Sequence, residues 1–586
     1  MKNDFNLEEA RHTAAHILAA ASKVLHPETA LGVGPAIENG FYHDIDVSPA
    51  YSETDLAMLQ TEMEKIKAMD LPITHREVPK AKARELFKDD KYKLELIEDI
   101  PGKTVGISDM GDGFFVTLCK GGHVKSTGKV GHFLLTHLAG VYWKGDANNS
   151  QLQRIYGVLF ETSKELRMHM NSIEEAKKRD HRKLGKELDL FTFSPLVGSG
   201  LPLFTPRGTV IRQALEDLVQ SIQEPMGYQR VSIPHITKPD LYKTSGHWDK
   251  FKDDLFKVKG HGDDEFVMKP MNCPHHTQIY ASKPRSYKDL PLRYSEVTMV
   301  YRDEQPGELQ GLSRVRSITQ DDAHAFCRPD QIEHEIGLLL DAYQVFHRIF
   351  DFEVSIRLSL RDSSKKEAYL GTDEVWDKAQ DALRSALKAR SLEFEEVEGE
   401  AAFYGPKIDF IGKDSLGRSW QISTIQLDFN MPARFELTYT DSDGSAKTPV
   451  MIHRAILGSV ERFMALIIEH YAGNFPLWLA PTQVMVLPIA DAHADYAQGL
   501  VESLKEAGLR VEIDNSGENI GKRIRSAEVM KTPVILVVGD KEMEAGTVAG
   551  RIRGLEGSQV LRFQDIVTKL SAISANRLSD YSTLKS

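Results

Sequence analysis

The chain has 586 residues, with 73 Lys and Arg against 85 Asp and Glu, so its formal net charge at pH 7 is −12. Hydrophobic residues make up 41% and charged residues 27%, a globular composition that predicts three or four domains of about 100–200 residues. These figures exclude a disordered chain, a collagen-like fibre and a disulfide-stapled secreted module, and three cysteines suit a reducing compartment. With no apolar run of about 18 residues and no secretory or transit signal, we predict a cytoplasmic protein without a membrane span.

The first predicted element is an amphipathic helix over residues 6–25, in which Asn6 stands three residues before a glutamate, as in a capping box. Short strands follow, among them residues 40–45 and 113–118. From about residue 150 to residue 189 the chain is charged and predicted to be helical, which is typical of a solvated connecting helix.

The longest block, residues 190–475, mixes strands and helices without the regular alternation of a parallel sheet. Strands are predicted at 292–294, 352–360 and 420–429, which favours an α+β domain built on an antiparallel sheet.

The end of the chain, after a proline-containing joint, alternates strands and helices and predicts a small α/β domain with parallel strands. The predicted strands are 483–488, 510–514 and 534–538, and the predicted helices are 492–507 and 520–530. We therefore divide the chain into residues 1–165, a linker helix over 166–189, a central domain over 190–476 and a C-terminal domain over 477–586.

Three residues of the central block are candidate metal ligands: Cys273 in PMNCPHH, His324 in TQDDAHAFC and His453 in VMIHRAILG. Thiolate and imidazole groups suit Zn²⁺, and three protein ligands with an open position are typical of a catalytic or substrate-binding site. Their wide spacing leaves two alternatives open, namely ordinary core or surface residues and a local pair of His324 with Cys327.

The segment TQDDAH, if extended, places Gln320, Asp322 and His324 on one face, because side chains of a strand alternate. An amide, a carboxylate and an imidazole together need polar partners, so this face is predicted to line a pocket. An exposed polar strand is the alternative.

Arginines cluster around a loop in YRDEQPGELQGLSRVRSITQ, whose two ends carry Arg302, Glu304, Arg314 and Arg316. Arginine forks match phosphate oxygens, and Ser459 and Arg462 share a predicted helix face farther on. The chain has no GxxxxGK[ST] motif, so a P-loop does not explain a nucleotide site. Pairing of these arginines with surface carboxylates is the alternative.

Residues 190–586 resemble class II aminoacyl-tRNA synthetases and, within them, the threonyl-tRNA synthetase family. The stretches that carry the resemblance are GYQRVSIPHITKPDLYKTSGHWDKF, YRDEQPGELQGLSRVRSITQDDAHAFC and MIHRAILGSVERF, which resemble the three class II motif regions, and MKPMNCPHH, AFYGPKIDF and WQISTIQLDF. The resemblance implies a class II antiparallel-sheet core, an anticodon-binding domain and a homodimer formed through the first motif region.

The same resemblance implies site roles. Arg302 would meet the α-phosphate of ATP and Glu304 the adenine, while Arg314 and Arg462 would contact the outer phosphates or the base, with Mg²⁺ bound to the triphosphate. Lys407 would bridge amino acid and nucleotide. The threonine and ATP pocket would be lined by Met271, Gln320, Asp322, Tyr404, Gln421 and Ser459. His247, in SGHWD, would lie in an exposed loop near the tRNA end and assist acyl transfer.

The implied zinc ligands are Cys273, His324 and His453. An open zinc can bind the amino and hydroxyl groups of threonine, and a site built for a hydroxyl rejects its isostere by about 10⁴–10⁵. Serine differs by only one methyl group, which is worth a factor of about 10–200, so a correcting activity is expected.

The first block carries His12 and His16 in HTAAH, one helical turn apart, and Cys119 and His123 in LCKGGH. Together they could bind a metal or hold a water for ester hydrolysis, and a structural histidine pair is the alternative. Residues 1–165 resemble the editing domain of the family, which hydrolyses seryl-tRNA, and Lys93 would contact the tRNA end.

Two departures from the family pattern are visible. Thr117 stands where the family has an acidic residue two before the cysteine, and the resemblance begins directly in the editing domain, which predicts a form without the N-terminal ubiquitin-like domain.

The C-terminal stretch 515–554 is locally basic, with 7 Lys and Arg against 5 Asp and Glu. Its candidate anticodon contacts are Arg525, Lys531, Glu542 and Arg551.

The favoured function is ligation of threonine to tRNA(Thr) through a threonyl-adenylate, with zinc-based selection and editing of seryl-tRNA(Thr). Two alternatives remain open, a paralogue that uses another acyl acceptor and a non-catalytic RNA-binding protein. Threonine-dependent exchange of pyrophosphate into ATP, followed by charging of tRNA, distinguishes them.

Overall fold

The computed structural model describes residues 5–146, 148–262 and 264–585. The chain divides into two compact units, Met1–Glu174 and Glu175–Ser586, which are described separately. Within the described residues, no helix combines the length and the apolar character needed to cross a membrane. The α+β class and the antiparallel core sheet predicted from the sequence are confirmed.

The first unit contains two antiparallel sheets and a long buried helix. Its helices are α1 (Leu7–Leu25), α2 (Leu56–Ala68), α3 (Lys80–Leu86), α4 (Lys91–Asp99) and α5 (Ser163–Arg179), the last of which runs into the second unit. Its strands are β1 (Ala30–Leu31), β2 (Ala36–Ile37), β3 (Gly40–Asp46), β4 (Ile73–Pro79), β5 (Thr104–Met110), β6 (Phe115–Leu118), β7 (His132–Tyr142) and β8 (Gln151–Phe160).

Helix α1 is the predicted amphipathic helix. The Asn6 side chain accepts hydrogen bonds from the backbone N–H groups of Glu8 and Glu9 and so caps its first turn. One sheet has the order β1-β3-β8-β7, with β2 paired to β3, and α1 packs against it; the other has the order β4-β5-β6.

The prediction of helix from residue 150 onward is wrong for the first ten residues. Gln151–Phe160 forms β8, in which Leu152, Ile155 and Leu159 are buried and every second residue from Ile155 to Leu159 faces the core. The charged helical sequence that follows forms two helices, α5 and α6 (His181–Glu187), because Asp180 ends the first and caps the second.

The second unit is built on an eight-stranded sheet with the order β11-β15-β16-β23-β20-β19-β17-β18. The interior pairs are antiparallel, and the two edge pairs, β11 with β15 and β17 with β18, are parallel. The central part of this unit has the strands β9 (Phe191–Thr192), β10 (Leu203–Phe204), β11 (Gln229–Arg230), β12 (Ile236–Thr237), β13 (Lys257–Lys259), β14 (Glu265–Met268), β15 (Leu292–Tyr301), β16 (Ser317–Cys327), β17 (Glu353–Leu360), β18 (Glu395–Glu398), β19 (Lys407–Lys413), β20 (Ser419–Asp428), β21 (Tyr439–Thr440), β22 (Ala446–Lys447) and β23 (Val450–Ala455).

Helices pack on both faces of this sheet. They are α7 (Pro206–Gln223), α8 (Pro239–Ser245), α9 (His247–Phe251), α10 (Cys273–Ala281), α11 (Ile332–Phe350), α12 (Asp373–Ala389), α13 (Asn430–Arg434) and α14 (Val460–His470). The main core joins α7, α11, α12 and α14 to one side of the sheet, where Ala323, Ala325 and Cys327 of β16 are buried. The alternate residues of β16 therefore face the other side, where the polar site lies.

The C-terminal end of the second unit forms a five-stranded sheet with the order β25-β24-β26-β27-β28. Its elements are β24 (Val484–Pro488), α15 (Ala494–Glu506), β25 (Val511–Ile513), α16 (Ile520–Val529), β26 (Val534–Val538), α17 (Asp540–Ala545), β27 (Thr547–Ile552), β28 (Gln559–Arg562) and α18 (Phe563–Ala575). The three predicted parallel strands are confirmed. The antiparallel hairpin of β27 and β28 was not predicted, because its sequence is short and rich in glycine and charge.

Candidate active site and metal centre

The three candidate metal ligands of the central domain lie together. In the register of β16 and β23, His324 stands directly opposite His453, and Cys273 begins α10 beside them. One ligand atom from each of the three residues lies within 4.8 Å of the others, and all three side chains are buried. Cys327 lies three residues along β16, on the opposite face and in the main core, so the alternative pair with His324 is not formed.

Neighbouring side chains hold the two imidazoles in fixed orientations. His324 Nδ1 lies 2.8 Å from His276 Nδ1, and His453 Nε2 lies 3.0 Å from Asp428 Oδ2. Such contacts leave the other ring nitrogen of each histidine free to bind a metal. Burial lowers the pKa of His324, which keeps it neutral, and raises the pKa of the Cys273 thiol well above its usual value. A buried thiol and two oriented imidazoles fit a Zn²⁺ ion, whose charge would stabilise the thiolate.

Polar groups surround this cluster. Asn272 Nδ2 donates to Asp322 Oδ2 at 3.0 Å, and the Tyr404 ring stacks on the His453 ring at 4.8 Å between centroids. Burial raises the pKa of Asp322 to about 6. Gln320, Asp322 and His324 share one face of β16, as the alternation predicted, and this face is lined by polar groups rather than exposed to solvent.

His247 is not in an exposed loop, contrary to the prediction. It is the first residue of α9 and is 1% exposed, with its Nε2 3.6 Å from Cys273 Sγ and its Nδ1 2.9 Å from Ser245 Oγ. Burial, reinforced by the nearby Arg302 and Arg434 guanidinium groups, lowers the pKa of His247 to about 3. Contacts with aromatic rings cover the imidazole, and sequence patterns do not reveal such long-range packing.

A cavity of about 610 Å³ lies on the same side of the sheet. It is lined by seven of the residues predicted to contact substrate or ATP: Arg302, Glu304, Arg314, Gln320, Gln421, Ser459 and Arg462. The Arg302 guanidinium lies 5.1 Å from the centre of the Phe251 ring, and its Nε is buried without a hydrogen bond. Arg314 pairs with Glu304 at 2.7 Å and with Glu308 at 3.1 Å.

Specific contacts hold two more of the predicted site residues, Ser459 and Lys407. Ser459 is the N-cap of α14, where its Oγ accepts a hydrogen bond from the Arg462 N–H, so the two residues meet as cap and first turn rather than on a helix face. Lys407 Nζ pairs with Asp409 Oδ2 at 2.6 Å, and the other oxygen of Asp409 accepts from Gln421 Nε2 at 2.7 Å. Asp409 therefore joins Lys407 to the cavity wall. The Met271 carbonyl accepts from the Tyr242 hydroxyl at 2.9 Å.

The first unit holds a second cluster, made of His12, His16, Cys119 and His123. Cys119 Sγ lies 3.1 Å from His123 Nε2 and 3.5 Å from His12 Nε2. The opposite nitrogens are anchored, because His12 Nδ1 lies 3.2 Å from the Gly122 carbonyl and His123 Nδ1 lies 3.2 Å from Thr13 Oγ1. Burial opposes ionisation of the thiol, but hydrogen bonds from His12, His123 and His16 lower the pKa of Cys119 to about 2. These contacts favour the thiolate form of Cys119.

Lys93 and Thr117 border a cavity of about 350 Å³ in the same unit. Lys93 Nζ donates to the Gly32 carbonyl at 2.8 Å, and burial lowers the pKa of Lys93 to about 8. Thr117 is buried on β6, so the position at which the family pattern has a carboxylate is here occupied by a hydroxyl.

The four predicted anticodon contacts do not form one cluster. Lys531 and Arg551 line a cavity of about 400 Å³, where Arg551 Nη2 donates to Glu528 at 3.1 Å. Arg525 is exposed on α16, and the Glu542 carboxylate accepts from the Gly539 N–H at 3.0 Å at the start of α17.

Comparisons with known proteins agree with this arrangement. Residues 256–471 match the family model of the tRNA synthetase class II core domain (G, H, P, S and T), and residues 483–573 match the anticodon binding domain. Residues 105–156 match the threonyl and alanyl tRNA synthetase second additional domain. The threonine--tRNA ligase of Rubrobacter xylanophilus is 48% identical over 546 residues, which are 93% of this chain and 85% of that protein. The chain belongs to the threonyl-tRNA synthetase family.

Further relatives support the assignment to this family. The threonine--tRNA ligase of Gloeobacter violaceus is 48% identical over 568 residues, 94% of this chain and 90% of that protein. The crystal structure of the RNA binding domain of the Cryptosporidium parvum threonyl-tRNA synthetase is 36% identical, with a TM-score of 0.65, and covers 69% of this chain and 100% of that one. The enzyme is a class II threonine–tRNA ligase with an anticodon-binding domain and an editing-type domain.

Several residues of the synthetase site were not singled out from the sequence. Four residues that contact predicted site residues were missed: Asp428, His276, Asn272 and Asp409. Each of them lies in a segment that carries the family resemblance. Asp428 could have been found from strand alternation: it stands two residues after Gln426 on β20 and so shares its face, and Gln426 lies opposite His453.

The synthetase has one thiol that we expect to react readily. With a pKa of about 2, half-buried Cys119 is ionised throughout the range from pH 5 to pH 8, so its rate of alkylation by iodoacetamide should change less than about twofold over that range. A free cysteine of pKa about 8.5 would react about tenfold faster with each unit of pH. Peptide mapping after labelling identifies the modified residue.

Cys273 and Cys327 are the internal controls, since both are buried and burial raises the pKa of each. A labelling rate at Cys119 that rises steadily to pH 8 would show that its thiol is not ionised.

Proposed function

We propose that this ligase forms threonyl-adenylate in the cavity on the polar face of β16 and then transfers threonine to tRNA(Thr). The observation that carries the proposal is the continuity of this face. Gln320 lines the arginine-bearing cavity, Asp322 follows, and His324 belongs to the metal cluster. Four residues of a strand span about 13 Å, so an amino acid bound at the cluster and ATP bound in the cavity would meet beside Asp322.

The charges of the cavity suit a triphosphate. In the described part of the chain, neither Arg302 nor Arg462 has an ion-pair partner, although both line the cavity. Such cations stabilise the negative charge that grows as the threonine carboxylate attacks the α-phosphorus and pyrophosphate leaves. We assign Arg302 to the α-phosphate, Arg314 and Arg462 to the outer phosphates or base, and Glu304 to the adenine. Mg²⁺ would accompany the triphosphate.

The amino-acid side of the site would use the cluster of Cys273, His324 and His453. A Zn²⁺ ion held there would bind the amino and hydroxyl groups of threonine and so reject valine. Asp322, Tyr404 and Met271 would line the pocket, with Gln320, Gln421 and Ser459 on the nucleotide side. Lys407, held by Asp409, would reach both substrates, and His247, buried beside Cys273, would lie next to the reacting group.

Cys273→Ser should remove the metal and the activation of threonine together. We expect zinc content to fall from about one ion per chain to nearly none, and threonine-dependent exchange of pyrophosphate into ATP to fall at least about 100-fold, because an alcohol is a poor zinc ligand. Metal analysis by mass spectrometry and the exchange assay measure the two quantities.

Cys327→Ser is the matched control, because this cysteine is equally buried but lies on the other face of β16. It should keep its zinc and its exchange activity. Full exchange by a zinc-free Cys273 variant would contradict zinc-based selection, while absence of exchange in the unaltered enzyme would contradict the adenylate route.

The cluster of the first unit is proposed to edit seryl-tRNA(Thr). Hydrolysis adds water across the ester bond and releases serine and tRNA, which needs a held water and groups that move a proton. The imidazoles of His12, His16 and His123, with the Cys119 thiolate, are anchored side by side for this task. Lys93, whose pKa is lowered to about 8, would contact the tRNA end.

His123→Ala should raise the steady-state level of seryl-tRNA(Thr) at least about tenfold, with pyrophosphate exchange unchanged, because loss of one acid–base group typically costs about 10²–10⁴ in rate. His132→Ala is the control, since His132 is exposed on β7 in the same unit. Mischarging measured with radiolabelled serine gives the result, and a flat level in the His123 variant would assign the cluster another task.

We also propose a cytoplasmic homodimer whose anticodon domain contacts tRNA(Thr) through Arg525, Lys531, Glu542 and Arg551. Apolar side chains stand exposed between β9 and β10 and in the first motif region, with Leu196 99% exposed, Leu203 40% and Ile236 45%. We propose that another subunit covers these exposed apolar side chains.

Light scattering after gel filtration should therefore give about twice the mass of the chain. Leu196→Asp should shift the mass towards that of one chain, because an interface buries charge at a cost. Leu578→Asp, at a residue 48% exposed on the C-terminal domain, is the control that should stay dimeric. A single-chain mass for the unaltered enzyme would refute the dimer.

A further inference from the structure

A buried histidine in the connecting helix contacts two elements of the proposed ATP site. His181 is the first residue of α6 and is 3% exposed. Its Nδ1 lies 2.6 Å from Glu469 Oε1, which also accepts the His181 backbone N–H at 3.0 Å. Its Nε2 lies 3.0 Å from the backbone N of Leu312. The two ring nitrogens thus contact a helix and a loop that are far apart in sequence.

The identity of the partners assigns the proton on the ring. A backbone N–H can only donate, so His181 Nε2 accepts the hydrogen bond from Leu312. The proton therefore lies on Nδ1 and is donated to Glu469. The second oxygen of Glu469 accepts from Arg418 Nη2 at 2.5 Å. Both nitrogens of the imidazole are used, so the grouping of His181 with Asp180 and Glu469 is a hydrogen-bond relay rather than a metal site.

The loop is built around this contact. Leu312 is fully buried, and it lies between Gln310 and Arg314, which both line the nucleotide cavity. Gly311 has a φ of +50°, and a Cβ atom placed there would lie 2.3 Å from His181 Nε2. A glycine is therefore needed both for the backbone conformation and for the close approach of the histidine.

The helix end of the relay belongs to the same site. Glu469 lies in the last turn of α14, whose first turn carries Ser459 as its cap and Arg462. One imidazole thus joins the loop that carries Arg314 to the helix that carries Arg462.

We propose that His181 is a positioning residue for ATP, which sets the loop of Arg314 against the helix of Arg462. The proposal rests on the proposed adenylation site. Without the relay, the loop keeps its sequence and charges but loses its anchor, so ATP should bind less tightly while the threonine site is unaffected.

The test compares kinetic constants of the full-length enzyme in threonine-dependent pyrophosphate exchange. His181→Phe keeps a ring and removes both side-chain hydrogen bonds. It should raise the KM for ATP about tenfold, since it leaves the buried Leu312 N–H without an acceptor and removes the imidazole donor to Glu469. The KM for threonine should change less than about twofold. His181→Gln, whose amide can accept from Leu312 and donate in turn, should recover most of the ATP affinity.

Two further variants separate positioning from folding. Leu184→Ala removes a buried apolar side chain of the same helix and should lower the melting temperature without changing the KM for ATP. Gly311→Ala leaves His181 in place but prevents its approach, and should reproduce the ATP effect of His181→Phe.

Equal KM values for ATP in the Phe variant and the unaltered enzyme would overturn the proposal, as would an equal loss of ATP and threonine affinity. If the unaltered enzyme shows no exchange at all, the adenylation proposal fails instead, so the two failures can be told apart.

Discussion

The catalytic part of the chain depends on the register of β16 against β23. This pairing sets His324 opposite His453 and directs Gln320 and Asp322 to the same face. A slip of one residue would turn every side chain of β16 to the other side of the sheet. His324 would then face the main core, away from His453 and Cys273, and Ala323 and Ala325 would take its side of the sheet.

Buried charge on the opposite face holds this register. Asp321 pairs with Arg454, which stands opposite Ala323 in the register of β16 and β23. Its carboxylate also accepts hydrogen bonds from the backbone N–H groups of Ile456 at 2.7 Å and Leu457 at 3.1 Å. The carboxylate therefore holds the turn that leads from β23 into α14. Since an unpaired buried charge is costly, a shifted register would lose this ion pair and both backbone bonds. Stability and substrate geometry thus depend on the same two strands.

Much of the site could be predicted because it follows local rules. Alternation along TQDDAH placed Gln320, Asp322 and His324 on one face, and charged residues at both ends of one loop indicated the cavity that arginines line. The residues that failed prediction depend on contacts distant in sequence. His247 is buried by rings from other elements, and His181 meets Leu312 131 residues away. Residues 151–160 were misread because the charged helix beside them dominated a short alternating pattern. The site roles, the bound metal and the domain boundaries stay predictions.

The ion pairs of Arg314 would affect how a nucleotide enters the proposed ATP site. Two carboxylates, Glu304 and Glu308, neutralise this guanidinium while the cavity is open to solvent. An incoming polyanion must take over at least one of these contacts, so its arrival is an exchange of partners rather than a simple gain of one. The favourable energy is the difference between two similar pairings, and dissolved salt weakens both. In the proposed site, Arg314 would therefore contribute discrimination among anions more than attraction, and Arg302 and Arg462, which have no ion pair in the described part of the chain, would supply the attraction.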